Sequence, residues 1–193
     1  MKVVTGNKEF FKGIGQVKFQ GIESDNPFSY RWYDENKVVA GKTMKEYLRF
    51  ACAYWHSFVG NGADPFGEPT HLFPWNEKAD AVERAKDKAD AAFEFITKLG
   101  LPYYCFHDVD AVDYTNDIHE NDRRLQAITA YLKEKQNASG VKLLWGTANL
   151  FSNKRYMNGA ATNPDFHVLT HAAAQVKAAL DATIELGDRK SVV

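Results

Sequence analysis

The 193-residue sequence has little of several features that mark particular classes of protein. It has two cysteines, Cys52 and Cys105, each within an apolar run, which predicts buried thiols in a reducing compartment rather than a disulfide framework. No apolar run approaches the roughly 18 residues of a membrane-spanning helix, and the first residues lack the apolar core of a secretory signal. The formal net charge is -1, so neither nucleic acid nor a membrane surface is expected as a partner. We therefore expect a cytoplasmic protein.

What the sequence does have is apolar periodicity after a polar start. Residues 1–46 are polar with scattered aromatic side chains, which predicts an irregular N-terminal extension, with a short strand at 19–22. From residue 47 onward, short apolar runs alternate with segments whose apolar residues recur every three or four positions. These patterns predict strands at 48–55, 103–107 and 141–149, and helices capped by Asn76, Asn116 and Asn163 that end at Gly100, Gly140 and Gly187.

Three successive strand–helix units predict an α/β fold with parallel strands. A barrel and a doubly wound sheet both fit this order. The loop Gly60–Gly67 has neither the glycine spacing of a dinucleotide-binding turn nor that of a phosphate loop, which favours the barrel. We predict an extension (1–46), the first three βα units of a TIM (β/α)8 barrel (47–187) and an atypical tail (188–193). Eight such units with the extension would need about 420 residues, so the chain would hold less than half of a barrel.

The predicted strand 103–107 runs directly into His107-Asp108-Val109-Asp110. The carboxyl ends of parallel strands are where such sheets place their active sites. A histidine that acts on a hydroxyl group needs one ring nitrogen held by an acceptor, which Asp110 offers to His107, although a satisfied core histidine is the alternative. Asp108 is expected to face the opposite side, because strand neighbours alternate. His167 and His171 have the spacing of a metal-binding pair but no acidic neighbour at the motif position, so we interpret them as a surface pair.

Four sequence features at successive predicted strand ends, taken together, resemble xylose isomerase, in the larger class with an N-terminal extension. The resemblance covers about residues 5–187, the N-terminal portion of that family. The features are Trp55, Gly62-Ala63-Asp64-Pro65-Phe66-Gly67, Phe106-His107-Asp108-Val109-Asp110 and Thr147-Ala148-Asn149-Leu150-Phe151.

The resemblance implies a metal-dependent interconversion of D-xylose and D-xylulose by a hydride shift. In these terms His107 is the catalytic histidine that hydrogen-bonds the sugar ring oxygen and helps to open the pyranose, and Asp110 is the carboxylate that orients it. The family uses two divalent cations, magnesium, manganese or cobalt, to polarise two sugar oxygens. Their ligands come from later strands, and we identify no metal ligand in this chain.

The resemblance also implies a substrate pocket and an assembly. Trp55 and Phe151 match aromatic walls that exclude water, and Thr147 lies at a matching strand end. Phe66, at the tip of a Gly/Pro loop, could tuck back onto its own chain or insert into a partner, and the resemblance favours insertion into the neighbouring subunit's site. A homo-oligomer, a tetramer in the family, is the implied assembly.

After Gly187 the sequence departs from the family pattern, which continues into a strand ending in a Trp-Gly-Gly-Arg-Glu type of motif. We therefore expect the chain to be inactive alone and to associate through the edges of its partial barrel. One alternative is a non-catalytic sugar-binding or interaction protein derived from a xylose isomerase. Another is a different divalent-metal barrel, such as the relatives of apurinic-site endonucleases, against which the net charge and the positions of Trp55 and Phe66 argue.

Overall fold

Three parallel strands alternating with long helices form the centre of the fold. The computed structural model describes residues 1–187, so the predicted tail at 188–193 lies outside the described residues. The central sheet has the order β3-β4-β5, and a second, two-stranded antiparallel sheet pairs β1 with β2. The elements are β1 (Val38–Val39), β2 (Lys42–Thr43), α1 (Met44–Tyr47), β3 (Ala51–Ala53), α2 (Ala81–Leu99), β4 (Tyr103–His107), α3 (Asp108–Ala111), α4 (Ile118–Ser139), β5 (Lys142–Thr147) and α5 (Phe166–Leu186).

The predicted α/β order with parallel strands is confirmed, but the first strand is shorter than predicted. Only Ala51–Ala53 of the predicted 48–55 pairs with β4, because Tyr54 adopts helical backbone angles and Trp55–Val59 forms a π-helical turn. The predicted strand at 19–22 is reduced to a single bridge between Phe19 and Tyr30. The carboxyl end of β3 is therefore a helical turn that begins with Trp55.

The long helices end where the sequence predicts, but each N-cap lies later in the sequence than predicted. Each predicted C-terminal glycine is in the left-handed conformation, as at Gly100 with φ 72°. Each N-cap is an aspartate whose side chain accepts a backbone N–H of the first turn, as Asp80 does from Glu83 at 2.9 Å. The predicted N-caps were wrong in all three helices: Asp80 replaces Asn76, Asp117 replaces Asn116, and Asp165 replaces Asn163.

One face of the central sheet packs against the helices and forms the core. Tyr104 and Phe106 of β4 lie on this face and are almost fully buried. The Phe93 ring of α2 packs edge-on against Tyr104, with centroids 5.3 Å apart. Because strand side chains alternate, Cys105 and His107 lie on the other face. The helices that contribute to the core do so through Phe93, Ile96, Leu125, Ile128, Leu132 and Leu186.

The N-terminal extension is tied to α2 by a buried carboxylate. Glu94 accepts the backbone N–H groups of Phe10 at 2.7 Å and Phe11 at 3.0 Å. The Lys98 ammonium donates to Glu94 at 2.7 Å and to Glu9 at 3.1 Å. Burial alone would lower the pKa of Lys98, but these two carboxylates outweigh it and raise the pKa. Residues 9–11 are thus held against α2.

None of the helices within residues 1–187 is both long enough and apolar enough to cross a membrane.

Candidate active site

A histidine and a carboxylate meet at the carboxyl end of β4, the central strand. The chain turns directly from β4 into the single turn of α3, which returns Asp110 to the side of His107. One oxygen of Asp110, Oδ2, accepts both the backbone N–H and the ring Nδ1 of His107, each at 2.8 Å. A carboxylate has no hydrogen to donate, so Nδ1 carries a proton, and in the neutral imidazole Nε2 presents a lone pair. The histidine side chain is 17% exposed and the carboxylate 6%.

Three aromatic side chains surround the imidazole. The ring centroid of His107 lies 4.9 Å from Trp55, 6.0 Å from Trp145 and 5.6 Å from Phe151, the last two in edge-to-face arrangements. Trp55 and Trp145 also contact each other across the sheet at 5.4 Å. The predicted residues Trp55, His107, Asp110 and Phe151 therefore come together, and Trp145 joins them.

Trp145 is a member of this cluster that the sequence interpretation missed. Its Cα pairs with Cys105, and the Cα of Thr147 pairs with His107, because β5 runs parallel to β4. Trp145 and Thr147 are two positions apart on one strand and therefore share a face. Because side chains alternate along a strand, counting back two positions from Thr147 would have placed Trp145 on the same face.

The predicted pocket residues Thr147, Phe151 and Phe66 differ in exposure. Thr147 is half-buried beside His107, and Phe151 is 69% exposed despite its contact with the imidazole. Phe66 is 97% exposed at the tip of a turn in which its N–H binds Asp64 at 2.7 Å. Within residues 1–187 Phe66 makes no aromatic contact, so its insertion into a neighbouring subunit stays a prediction.

Asp108 lies behind the site and is fully buried. Its carboxylate accepts hydrogen bonds from the backbone of Val109 and Asn149 and from the Gln175 side chain on α5. Burial raises the pKa of Asp108, while these hydrogen bonds oppose the rise. We predicted from strand alternation that Asp108 faces away from His107. Residues 108–111 instead form a helical turn, and this turn directs Asp108 and Asp110 to different partners.

A buried lysine, Lys88 of α2, lies near Asp110 and Asp113 and is 7% exposed. Burial lowers the pKa of Lys88, and the negative charges of Asp113 and Asp110 oppose that change.

In the described part of the chain, residues 1–187, no three or more His, Cys, Asp or Glu side chains are arranged to hold a metal ion. Of the two histidines with metal-like spacing, His167 is exposed and His171 is half-buried. Arg155 donates to Nε2 of His171 at 2.6 Å, which requires the imidazole to be neutral there. Burial, followed by the charge of Arg155, lowers the pKa of His171.

Comparison with known proteins identifies relatives along almost the whole chain. No family model matches the sequence. The chain is 60% identical over 190 residues to xylose isomerase 2 of Xanthomonas campestris pv. campestris strain 8004, a match that covers 98% of this chain and 43% of that protein. It is 58% identical over 190 residues to xylose isomerase of Xanthomonas oryzae pv. oryzae strain MAFF 311018, with the same coverage of 98% and 43%. It is 57% identical over 187 residues to xylose isomerase 1 of Xanthomonas axonopodis pv. citri strain 306, covering 97% of this chain and 42% of that protein. The chain thus spans less than half the length of the curated relatives that it matches.

Proposed function

We propose that this chain, a homologue of the N-terminal portion of xylose isomerases, provides the sugar ring-opening part of an active site that isomerises D-xylose to D-xylulose. The observation that carries the proposal is the His107–Asp110 pair, joined at 2.8 Å and enclosed by aromatic rings at the end of β4. The names of the relatives suggest the class of reaction. The geometry of His107 and Asp110 supports a role for these two residues in one step of that reaction.

We also propose that residues 47–187 are the first three βα units of a TIM barrel, preceded by an extension at 1–46. The parallel order β3-β4-β5 with intervening helices supports this architecture. So does the position of the aromatic cluster at the carboxyl ends of the strands, where barrel enzymes bind substrate.

The His107–Asp110 geometry suits the opening of a cyclic sugar. In the proposed step, Nε2 of His107 takes the proton of the C1 hydroxyl of xylopyranose as the bond between C1 and the ring oxygen breaks. The carbonyl forms at C1, and the imidazolium then returns its proton to the former ring oxygen. Asp110 stabilises the imidazolium and prevents the ring from presenting the wrong tautomer.

The aromatic residues around His107 would form the walls of the pocket. Trp55, Trp145 and Phe151 present apolar surface to the carbon-bound hydrogens of the sugar and displace water from the imidazole. Thr147 offers a hydroxyl beside the same strand end. Phe66 would complete the pocket of a neighbouring subunit in a homo-oligomer, which its full exposure permits.

The hydride shift would depend on divalent cations, magnesium or a similar ion, which polarise the sugar oxygens when bound. The described residues do not form a site that fits such an ion, so no step of our mechanism passes through one. We propose that the 193 residues alone do not isomerise sugar and that this step requires the part of the relatives that the chain does not match.

A hybrid enzyme tests the proposal. Residues 1–187 of this chain are joined to the part of Xanthomonas campestris xylose isomerase 2 that follows the matched region. We expect the hybrid to convert D-xylose to D-xylulose with added magnesium. We expect His107→Asn to lower its kcat/KM by about 10²- to 10⁴-fold, the usual contribution of a general base. His119→Asn, at an exposed position on α4, is the matched control and should leave kcat/KM unchanged.

Two results would contradict the proposal. A folded hybrid that is inactive, or whose His107→Asn variant is as active as the His119→Asn variant, would remove the assigned role of His107. Turnover of xylose by the 193-residue chain alone would show that the division of the site is wrong.

A further inference from the structure

A buried polar network behind the active site connects α3, the loop after β5 and α5. Asp108 is at its centre and uses both carboxylate oxygens. Oδ1 accepts the N–H groups of Val109 at 2.9 Å and Asn149 at 2.8 Å, and Oδ2 accepts from Gln175 Nε2 at 2.8 Å. Gln175 Nε2 also donates to the Asn149 carbonyl at 3.0 Å, and its Oε1 accepts from the Tyr156 hydroxyl at 2.6 Å. Asp108, Asn149, Tyr156 and Gln175 are all buried, and Val109 is half-buried.

The network continues from Asn149 to the aromatic wall of the pocket. The Asn149 side-chain oxygen accepts the N–H of Phe151 at 3.2 Å and that of Ser152 at 2.9 Å, and its amide donates to the Ser152 hydroxyl at 2.9 Å. Asn149 therefore fixes the backbone of the turn that carries Phe151. The backbone N–H of Asn149 is itself bound to Asp108, the residue that follows His107. The position of the turn therefore depends on Asp108.

We propose that Asp108 is a positioning residue that sets the placement of the Phe151 ring against the His107 imidazole. The Phe151 ring is 69% exposed and has no burial to hold it, yet it stands edge-on to His107 at 5.6 Å. The chain of bonds from Asp108 through Asn149 supplies the restraint that burial does not. The importance of this placement for sugar binding rests on the proposed function.

The electrostatics favour a geometric role over a simple packing role. A buried carboxylate is costly, and a well-packed apolar residue at the same place is often no less stable. A carboxylate instead provides two acceptor oxygens at fixed positions, which here bind a backbone N–H of α3, a backbone N–H of the loop after β5 and a side-chain amide on α5. A fully satisfied network of this kind specifies one arrangement of the loops that it joins.

Nuclear magnetic resonance of the 193-residue chain tests the proposal. The readout is the set of cross-peaks between the rings of His107 and Phe151, with the cross-peaks between His107 and Trp55 as the internal reference. Asp108→Asn keeps one acceptor oxygen but turns an amide N–H toward the Gln175 amide. We expect it to abolish the His107–Phe151 cross-peaks and to leave the His107–Trp55 cross-peaks in place.

Asp181→Asn, at an exposed position on α5, is the matched control and should change neither set.

The proposal is overturned if the His107–Phe151 cross-peaks persist in Asp108→Asn, or if both sets of cross-peaks are lost together. Should Asp108→Asn not fold, Asn149→Ala removes only the link to Phe151, and retention of the His107–Phe151 cross-peaks in that variant overturns the proposal. No sugar or turnover enters this measurement, so an inactive hybrid enzyme would refute the proposed function and leave the placement of Phe151 independently measurable.

Discussion

Two glutamate–lysine pairs on the same helix, α2, should respond very differently to the same substitution. Glu83 and Lys86 meet at 2.8 Å, and Glu94 and Lys98 meet at 2.7 Å. The side chains of the first pair are 47% and 37% exposed, whereas those of the second are 0% and 7% exposed. Glu83→Gln and Glu94→Gln therefore compare one chemical change in water and in the protein interior.

The magnitude for Glu94→Gln follows from what the carboxylate holds. The change leaves the Lys98 ammonium buried with only Glu9 as a carboxylate partner, and it turns an amide N–H toward one of the backbone N–H groups of Phe10 and Phe11. Removing one partner of a buried ion pair lowers the free energy of unfolding by about 3–5 kcal/mol, and this figure already includes the hydrogen bonds that the charged group made. We expect the free energy of unfolding to fall by about 3–5 kcal/mol. Glu83→Gln should leave it unchanged within error, because water screens that pair.

Urea denaturation of the two variants and the parent chain measures this difference. Hydrogen exchange locates it: the amides of Phe10 and Phe11 should lose protection in Glu94→Gln and keep it in Glu83→Gln. Equal shifts of the urea midpoint in the two variants, or unchanged protection of both amides in Glu94→Gln, would refute the argument that burial decides the value of these pairs.

Three further predictions concern packing and protonation. Gly146→Ala should lower the free energy of unfolding by about 1–3 kcal/mol in urea denaturation, because the new Cβ would lie 2.4 Å from a methyl group of Thr183. Burial raises the pKa of Cys105 from 9.0 to about 12, so native-state alkylation at pH 8 should be about a thousandfold slower than in the unfolded chain. The imidazole of His171 should titrate below 6.5 by nuclear magnetic resonance, and Arg155→Met should move its midpoint upward. Because this folded-state pKa is depressed, the stability from neutral His171 is complete above pH 6.5 and declines as the pH falls below that value.

Each of these predictions has its own control. Gly67→Ala adds the same methyl group where no atom lies within 4 Å, and a loss of stability equal to that of Gly146→Ala would contradict the packing argument. Rapid alkylation of Cys105 in the folded chain would show that the thiol is accessible and ionised. A midpoint of His171 at or above 6.5 in the parent chain would contradict the contact with Arg155.

The sequence predicted the features of the fold that depend on neighbouring residues. Strand 103–107 is delimited by Gly100 and Pro102 on one side and by polar residues on the other, and β4 occupies the predicted positions. The C-terminal glycines were identifiable because few residues adopt a positive φ. The helix starts were not, since asparagine and aspartate both suit an N-cap, and only the folded chain shows which oxygen reaches a first-turn N–H.

The same distinction applies to the site. His107 and Asp110 are three positions apart, so their contact is encoded within one short segment. The bond between Asp108 and Gln175 joins residues 67 positions apart, and only the packing of α5 on β5 brings them together. Trp145 lies between these cases, because its face follows from alternation while its contact with Trp55 requires the register of three strands.

Asp110 and Asn149 restrain the two rings of the site in different ways. The His107 imidazole is itself hydrogen-bonded, so its reorientation requires the bond between Nδ1 and Asp110 Oδ2 to break. Asn149 holds only the backbone of Phe151, so the exposed ring fluctuates about its mean position without breaking a hydrogen bond. Exposed side-chain rotations take picoseconds to nanoseconds, and openings of hydrogen-bonded turns are far slower. Fluctuations of the Phe151 ring about its mean position should therefore be much faster than any reorientation of the imidazole.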